Sequence, residues 1–597
     1  MRLLLILFVF LWANTGWADA ITITDAGVDS KVTGLNGTGI AIGQVEVWRS
    51  GKWGYDPVSL STSDITPTGV YVQGTSGMAS PTFGINTDDA HATEVAGVMI
   101  ASLGTGSVGV SPLAELHSMA TQSADEVDIA LALNRIALLN NGSVQAINLS
   151  FGLPLQPFIE EPDGNSHFAQ FIDWSARRHD VLYVAAWGNS DASEFRTPQD
   201  NFNGITVAAS ESPPGPPEDI LYRRFSSINA IEGDASGDRT SIDLLSPGFQ
   251  VQVSGYQNTS YFIDGTSYAT PHVTGAAALL HQYAVQQKNA SVPNDRFVLN
   301  SQRHEVMKAV MLNSADKLDG VHGSTRTIVD LNDQDWTQSE AFNSVFMPLD
   351  DQMGAGHLNV RRAVQQFAPG EYDPGTVPLI GWDYGSIGGQ DSIIEYVLDE
   401  PLAAGEYIAI TLAWDRRIES TGGNTYNFGD QFTNHGVANL DLRLMTKDGT
   451  DLTLDSVWSS QSFEDNVEHI FFQFNEQEVG EYKIVVHHNC CDIGNPLANT
   501  NYALAWWYGD AAIPGDYDAN GSVGPEDYDL WKANFGTVFA AADGNGDGIV
   551  DAADYTVWRK NLGAGMGSQA AVPEPSAIAL AVVGLLIGGL KNRRFKV

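Results

Sequence analysis

Apolar and polar positions along the chain fall into two regimes. In the first, the stretches 38–48, 146–152, 181–191 and 204–210 are near-continuous runs of small and β-branched residues. This is the pattern of strands buried on both faces of a parallel sheet. Helical stretches lie between them, at 127–139 and 168–178, and a loop at 88–104 runs into a helix. The alternation predicts a doubly wound α/β sheet with helices on both faces and ligands at the carboxyl ends of its strands. A Pro/Gly linker at 369–378 closes this regime. In the second regime, 406–414, 439–445, 466–474, 480–486 and 501–507 alternate or run apolar between turn signals, with no comparable helix among them. That predicts an antiparallel β-sandwich or jelly roll over 379–510. Residues 514–564 then repeat one pattern at a 27-residue offset. In each copy an acidic, Gly-bearing loop feeds a helix with matched aromatics, Tyr528 and Trp531, then Tyr555 and Trp558.

Both ends are apolar. Arg2 precedes the run 3–12, which is too short to span a bilayer, and Ala18-Asp19-Ala20 offers a cleavage site, so 1–20 reads as a secretory signal peptide. Residues 577–590 form a second apolar run, ahead of Lys591, Arg593, Arg594 and Lys596.

Length and charge narrow the picture. A chain of 597 residues is long enough for several domains. With 31 Lys+Arg against 72 Asp+Glu, a formal charge of −41, it lacks the basic footprint a nucleic-acid partner needs and favours cations instead. The two cysteines, Cys490 and Cys491, are adjacent, so disulfides do not staple the fold. In HHNCC, 487–491, two readings stand: a metal site, or a strand end with a vicinal disulfide or two thiols.

The candidate chemistry centres on DGTSYATPHVTGAAALL, 264–280, a Gly-bearing turn that becomes an apolar helix. A serine at that junction, Ser267, combines an exposed hydroxyl with a backbone N–H among the unpaired donors of a helix start, so one residue can be nucleophile and oxyanion donor. Pro271 is placed near the helix start, where a missing N–H costs little. The stretch resembles the nucleophile segment of subtilisin-like serine proteases (subtilases). Other motifs extend the resemblance over roughly 30–368. DDAHATEVAG, from Asp88, resembles the H-G-T-H-V-A-G motif with Ala92 and Glu94 in place of its second and fourth residues. The strand in 38–48 matches the one that ends at the triad acid, here Glu46 rather than aspartate. Tyr268 stands where the family usually has methionine.

What the resemblance implies is a 21–368 catalytic domain with Glu46, His91 and Ser267 as the triad. Asn189 is implied as the oxyanion side chain, and Ser150, Phe151, Gly152 and Leu153 as the substrate-pocket wall. Proteins or peptides are the implied substrates. The rival reading is a non-catalytic surface or scaffold-binding protein on a degraded protease fold, suggested by Glu46. The second domain looks like the jelly roll that follows some subtilase domains. Its turn aspartates, such as Asp441 and Asp448, are read as calcium ligands or as ordinary exposed carboxylates.

In the repeat, Asp516, Asp518, Asn520, Ser522 and Asp527 take positions 1, 3, 5, 7 and 12 of a calcium loop. Asp543, Asn545, Asp547, Ile549, Asp551 and Asp554 take 1, 3, 5, 7, 9 and 12 of the second. The pair resembles a type I dockerin, a small helical Ca2+ module, which implies a cohesin-like partner. An intramolecular structural role is the other reading. The tail at 573–597 begins Pro573-Glu574-Pro575 and resembles a PEP-CTERM sorting signal, which implies an exosortase-type processing enzyme and at least transient membrane contact. A plain membrane anchor is the alternative. Either way the protein is expected outside the inner membrane.

Overall fold

The computed structural model describes residues 35–47, 65–72, 91–102, 108–121, 123–139, 142–154, 163–189, 196–211, 221–225, 239–254, 260–289, 295–322, 324, 326–490, 492–494, 499–509, 515, 517, 523–536, 542, 544 and 549–562. The segments 1–20 and 573–597 lie outside the described residues, as do Cys491, Asp516, Asp518, Asn520, Ser522, Asp543, Asn545 and Asp547. Among the described residues no helix is long and apolar enough to cross a membrane. The chain divides into two compact units. The larger carries every strand and the smaller carries the last two helices.

Strands β1 (Ala41–Glu46), β2 (Gly69–Val72), β3 (Glu115–Ala120) and β4 (Val144–Leu149) begin the first sheet. β5 (Leu153–Pro154) and β7 (Arg196–Thr197) pair as a separate ribbon, while β6 (Leu182–Ala186), β8 (Ile205–Glu211), β9 (Leu221–Arg224), β10 (Leu244–Pro247) and β13 (Thr327–Val329) complete the sheet. β11 (Val251–Ser254) and β12 (Ser260–Ile263) form an antiparallel hairpin. The sheet runs β13-β9-β8-β6-β4-β1-β3-β2, with β10 also on β8. Its pairings are parallel except β8 with β9. β1 sits between β3 and β4, so successive crossovers leave it in opposite directions and open a crevice at the carboxyl edge.

Helices cover both faces: α1 (His91–Ile100), α2 (Glu126–Ala137), α3 (His167–His179), α4 (Thr266–Lys288), α5 (His304–Asn313) and α6 (Val360–Phe367). Ile42, Ala146 and Val184 share one core with Val95, Met99, Ala269 and Val273 of α1 and α4. Val45, Ile147 and Leu149 share another with Ile129, Leu133 and Phe171 of α2 and α3. Alternation along β1 therefore turns Gln44 and Glu46 to the α1/α4 side. α4 is apolar nearly all round because it is buried nearly all round, Ala276 to Leu280 without exposure.

The sandwich comprises β14 (Gly375–Val377), β15 (Ile380–Ile387), β16 (Ile393–Leu398), β17 (Tyr407–Trp414), β18 (Arg417–Ser420), β19 (Phe432–Val437), β20 (Leu440–Thr446), β21 (Ser456–Ser460), β22 (Val467–Gln473), β23 (Tyr482–His488), β24 (Ile493–Gly494) and β25 (Thr500–Tyr508). One sheet runs β14-β16-β23-β20-β21 and another β15-β25-β17-β22, and Leu442, Ile484, Ile410 and Leu504 fill one core between them. On the opposite face of β25, Ala503 and Ala505 lie against the core that holds α5 and α6. Small residues at alternate positions let the helices approach closely. Gln366 Nε2 then donates to Gly381 O at 2.8 Å and Trp506 O at 2.9 Å, sealing the contact.

Two expectations change here. Asp441 is no turn residue: it is buried in β20 and accepts from Arg443 Nη2 at 2.8 Å and Asn489 Nδ2 at 2.9 Å. Strand periodicity, not turn chemistry, governs that position. His487 and His488 are consecutive on β23 and leave on opposite faces. His488 bonds Gly388 O at 2.6 Å and Asp492 Oδ1 at 2.9 Å, while His487 Nδ1 lies 3.5 Å from Asp441 Oδ2. Cys490 is exposed.

In the smaller unit, α7 (Pro525–Asn534) and α8 (Ala552–Asn561) are joined by exchanged tryptophans. Trp531 Nε1 donates to Asp551 O at 2.8 Å, and Trp558 Nε1 to Gly524 O at 2.7 Å. The matched aromatics thus serve to pack the two halves of the repeat on each other, with ring centroids of Tyr528 and Trp558 5.2 Å apart.

Candidate active site

Strand ends and helix starts converge at the carboxyl edge of the first sheet. Glu46 is the last residue of β1, and its Oε2 lies 3.0 Å from His91 Nδ1. Gln44, two residues back on the same face, donates from Nε2 to Ala92 O at 2.8 Å and reaches Glu46 Oε1 at 3.4 Å. One amide thus ties the carboxylate to the first turn of the helix that carries the histidine. Glu46 is 1 % exposed and His91 23 %, so the acid is sealed while the imidazole stays reachable. The His91 ring lies 5.8 Å from that of Tyr268, beside the first turn of α4.

That turn begins at Gly265, with φ of 145°, a conformation that favours glycine. Tyr268 N and Ala269 N both donate to Gly265 O, at 3.0 and 3.3 Å, starting the helix. Ser267 is its second residue, so its N–H belongs to the donors that a helix start leaves over. Asn189 stands just beyond β6. Its Oδ1 accepts from Thr266 N at 2.8 Å and Thr266 Oγ1 at 2.9 Å, so its Nδ2 is the donor that remains to be used. A Cβ on Gly265 would come within 3.1 Å of that nitrogen.

Pro271 lies inside α4 rather than at its edge. It lacks the N–H that would pair with the carbonyl four residues earlier, that of Ser267. Ser150 Oγ supplies the missing donor at 2.7 Å and itself accepts from Asn148 Nδ2 at 2.9 Å. The Ser267 hydroxyl donates in return to Ser150 O at 3.2 Å. Ser150 therefore touches the serine directly. Phe151 stacks on Phe168 at 6.0 Å, and Leu153 enters the β5–β7 ribbon. Gly152, between them, is half-buried.

A second histidine on α4, His272, is fully buried and bonds Tyr268 O through Nδ1 at 2.8 Å. Burial pulls it down to about 4, so it is neutral and structural. Three contributors went unread in the sequence, Gln44, Asn148 and Thr266, and Glu94 and Tyr268 were read as separate departures rather than as a pair. The first two carry a signal, since each lies two residues before a candidate on one strand face and points the same way.

Elsewhere, Asp527 and Asp554 are fully buried carboxylates at the third positions of α7 and α8. Asp527 accepts from Tyr517 N and Gly524 N, both at 2.6 Å, and Asp554 from Asp551 N at 2.6 Å. Asp551 Oδ1 accepts from Ala553 N at 2.7 Å, and Ile549 is exposed. Backbone donors thus pin one end of each acidic loop, a donor set of hard oxygens that fits Ca2+.

Residues 18–334 match the family model of the Subtilase family. Subtilisin BL of Lederbergia lenta is 34% identical over 207 residues, 34% of this chain and 65% of that protein. An alkaline protease of Shouchella clausii is 32% identical over 207 residues, covering 34% of this chain and 46% of its own. The chain thus spans less than two thirds of these curated relatives. Among solved structures, fervidolysin from Fervidobacterium pennivorans, a keratinolytic enzyme related to subtilisin, aligns over 77% of this chain and 61% of its own at 17% identity and a TM-score of 0.42.

Proposed function

The chain belongs to the subtilase family, and from that premise we propose that it is an exported serine endopeptidase working through an acyl-enzyme on Ser267. The observation that carries this reading is the 3.0 Å contact between Glu46 and His91 at a sealed strand end. It gives the longer acid the reach that the aspartate has in the family pattern.

Ser267 Oγ turns about χ1 from Ser150 O toward His91 and attacks the peptide carbonyl. His91 Nε2 takes the hydroxyl proton, while Nδ1–H donates to Glu46, which fixes the tautomer and stabilises the imidazolium. Asn189 Nδ2 and Ser267 N–H hold the oxyanion, helped by the positive end of α4. His91 then protonates the leaving amine. Water, activated by the same imidazole, releases the acyl group. Substrate lies along residues 150–153. Leu153 opens the short strand β5, whose pairing suits an extended peptide alongside, and the half-buried Phe151 ring offers an apolar surface.

In the repeat at 514–564, Asp516, Asp518, Asn520, Ser522 and Asp527, with Asp543, Asn545, Asp547, Ile549, Asp551 and Asp554, would hold two Ca2+ ions. The ions would supply structural charge neutralisation and no part of the chemistry. The paired helices suit a dockerin-like role toward a cohesin-like partner, and the basic-ended tail suits sorting by an exosortase-type enzyme at the membrane.

The test is a fluorophosphonate probe on the full chain. Labelling that vanishes in Ser267→Ala is expected; a folded chain that does not label overturns the reading in favour of a non-catalytic binding protein.

A further inference from the structure

Two departures from the family pattern, Glu94 and Tyr268, are 174 residues apart in sequence and meet in the fold. Tyr268 OH donates to Glu94 Oε2 at 2.6 Å, and Tyr261 OH, from β12, donates to Glu94 Oε1. Glu94 is 3 % exposed and lies three residues after His91 on α1, hence on the same helix face one turn along. Tyr268 follows Ser267 directly, and its ring flanks that of His91. One carboxylate therefore gathers the helix of the histidine, the helix of the serine and the β11–β12 hairpin.

We propose that Glu94 and Tyr268 are positioning residues for the reaction assigned to Ser267, a proposal that rests on that assignment. The hydroxyl tether fixes the separation of His91 from Ser267, and an ionised Glu94, one turn along the helix from His91, would add negative charge that favours the His91 imidazolium. A tether of this kind acts where orientation decides rate, since a displacement of about 1 Å between nucleophile and base costs on the order of 100-fold. Among the described residues, the titratable groups placed toward the pair include Glu46 from β1, Glu94 from α1, Tyr268 from α4 and Tyr261 from β12.

The experiment is the rate of fluorophosphonate labelling of the full chain from pH 5 to 9, for wild type, Glu94→Gln and Tyr268→Phe, with Ser267→Ala as the silent control. Glu94→Gln removes a negative charge near His91, lowers its proton affinity, and moves the acid limb to lower pH by about half a unit or more. Tyr268→Phe keeps the ring and loses the tether. Its limiting inactivation rate falls about tenfold while the half-saturating probe concentration holds. A purely structural role would lower the melting temperature and leave the acid limb in place. Folded variants with the wild-type limb and limiting rate overturn the proposal and leave the protease reading standing. If wild type itself does not label, that reading falls, and the His91 titration followed by NMR, assigned with His91→Ala, decides the rest. A lowered His91 titration in Glu94→Gln upholds the charge coupling, and an unchanged one overturns it.

Discussion

At the scale of single residues, the geometry gives the Glu46 departure a testable consequence under the proposed triad. The carboxylate meets Nδ1 at 3.0 Å from the end of a strand whose backbone is locked to β3 and β4. Shortening it by a methylene should therefore not restore the family's aspartate. Glu46→Asp is expected to lower kcat/KM about tenfold or more by opening that contact. Glu46→Gln, which removes the charge and misdirects the tautomer, should cost about 10³–10⁴. Peptide hydrolysis by the three proteins ranks them; Glu46→Asp at or above wild type refutes the geometric argument. The motif that carries Glu46, His91 and Ser267 was legible as three patterns along the chain. That Gln44 braces the acid was not read, although strand periodicity alone puts it on the same face.

Elements carry a different lesson. Proline inside α4 creates an orphan carbonyl on Ser267, and Ser150 Oγ fills it from the end of β4. Ser150→Ala should leave that half-buried carbonyl without its side-chain donor, costing about 1 kcal/mol, and free the turn that carries Ser267. Urea denaturation would show the loss, and an unchanged midpoint would mean that another donor takes over. Local rules place proline at helix starts, and so mislead here, because the partner that makes the interior position tolerable comes from 117 residues away. For α7 and α8 the expectation concerns cations. Acidic loops without Ca2+ repel themselves, so a chelator should lower the melting transition of this unit, and added Ca2+ should restore it. Calorimetry with and without chelator decides, and a transition indifferent to both argues against bound calcium.

For the whole molecule, the sandwich is built into the α/β body rather than tethered to it. His304, at the start of α5, bonds Asp180 Oδ1 at 2.9 Å and Asp415 Oδ1, just past β17, at 3.1 Å, with Glu305 Oε2 3.1 Å from Nδ1. Burial opposes a charged imidazole, but Glu305, Asp415 and Asp180 outweigh it and hold His304 well above its ordinary 6.5. Burial likewise pushes Glu305 up to about 7, against the pull of His304. Arg303 and Tyr384 flank the cluster. Both shifts are upward. Each contributes stability that is complete below the unfolded value, 4.5 for Glu305 and 6.5 for His304, and is lost as pH rises through the folded one. Stability of this unit should thus decline as pH rises, from about 4.5 to 7 through Glu305 and from 6.5 upward through His304. His304→Gln should cost about 3–5 kcal/mol near pH 6 and progressively less as pH rises above 6.5. Denaturation midpoints across that range check it, and a cost independent of pH contradicts the buried cation.

The sequence by itself determined the strands and helices and the order of the acid, the histidine and the serine. Those depend on short-range period and on motifs within a few residues. It misread Asp441, because an isolated aspartate in an alternating run does not announce that Arg443, two positions on, will neutralise it inside the sheet. Only the tertiary structure decided that Glu46 reaches His91, that Ser150 completes the proline-broken helix, that Glu94 and Tyr268 belong together, and that Asp415 and His304 join sandwich to body. Each of those is a contact between residues 45 to 174 positions apart. Their meeting depends on how sheets and helices pack, and nothing in the local pattern of either partner encodes it.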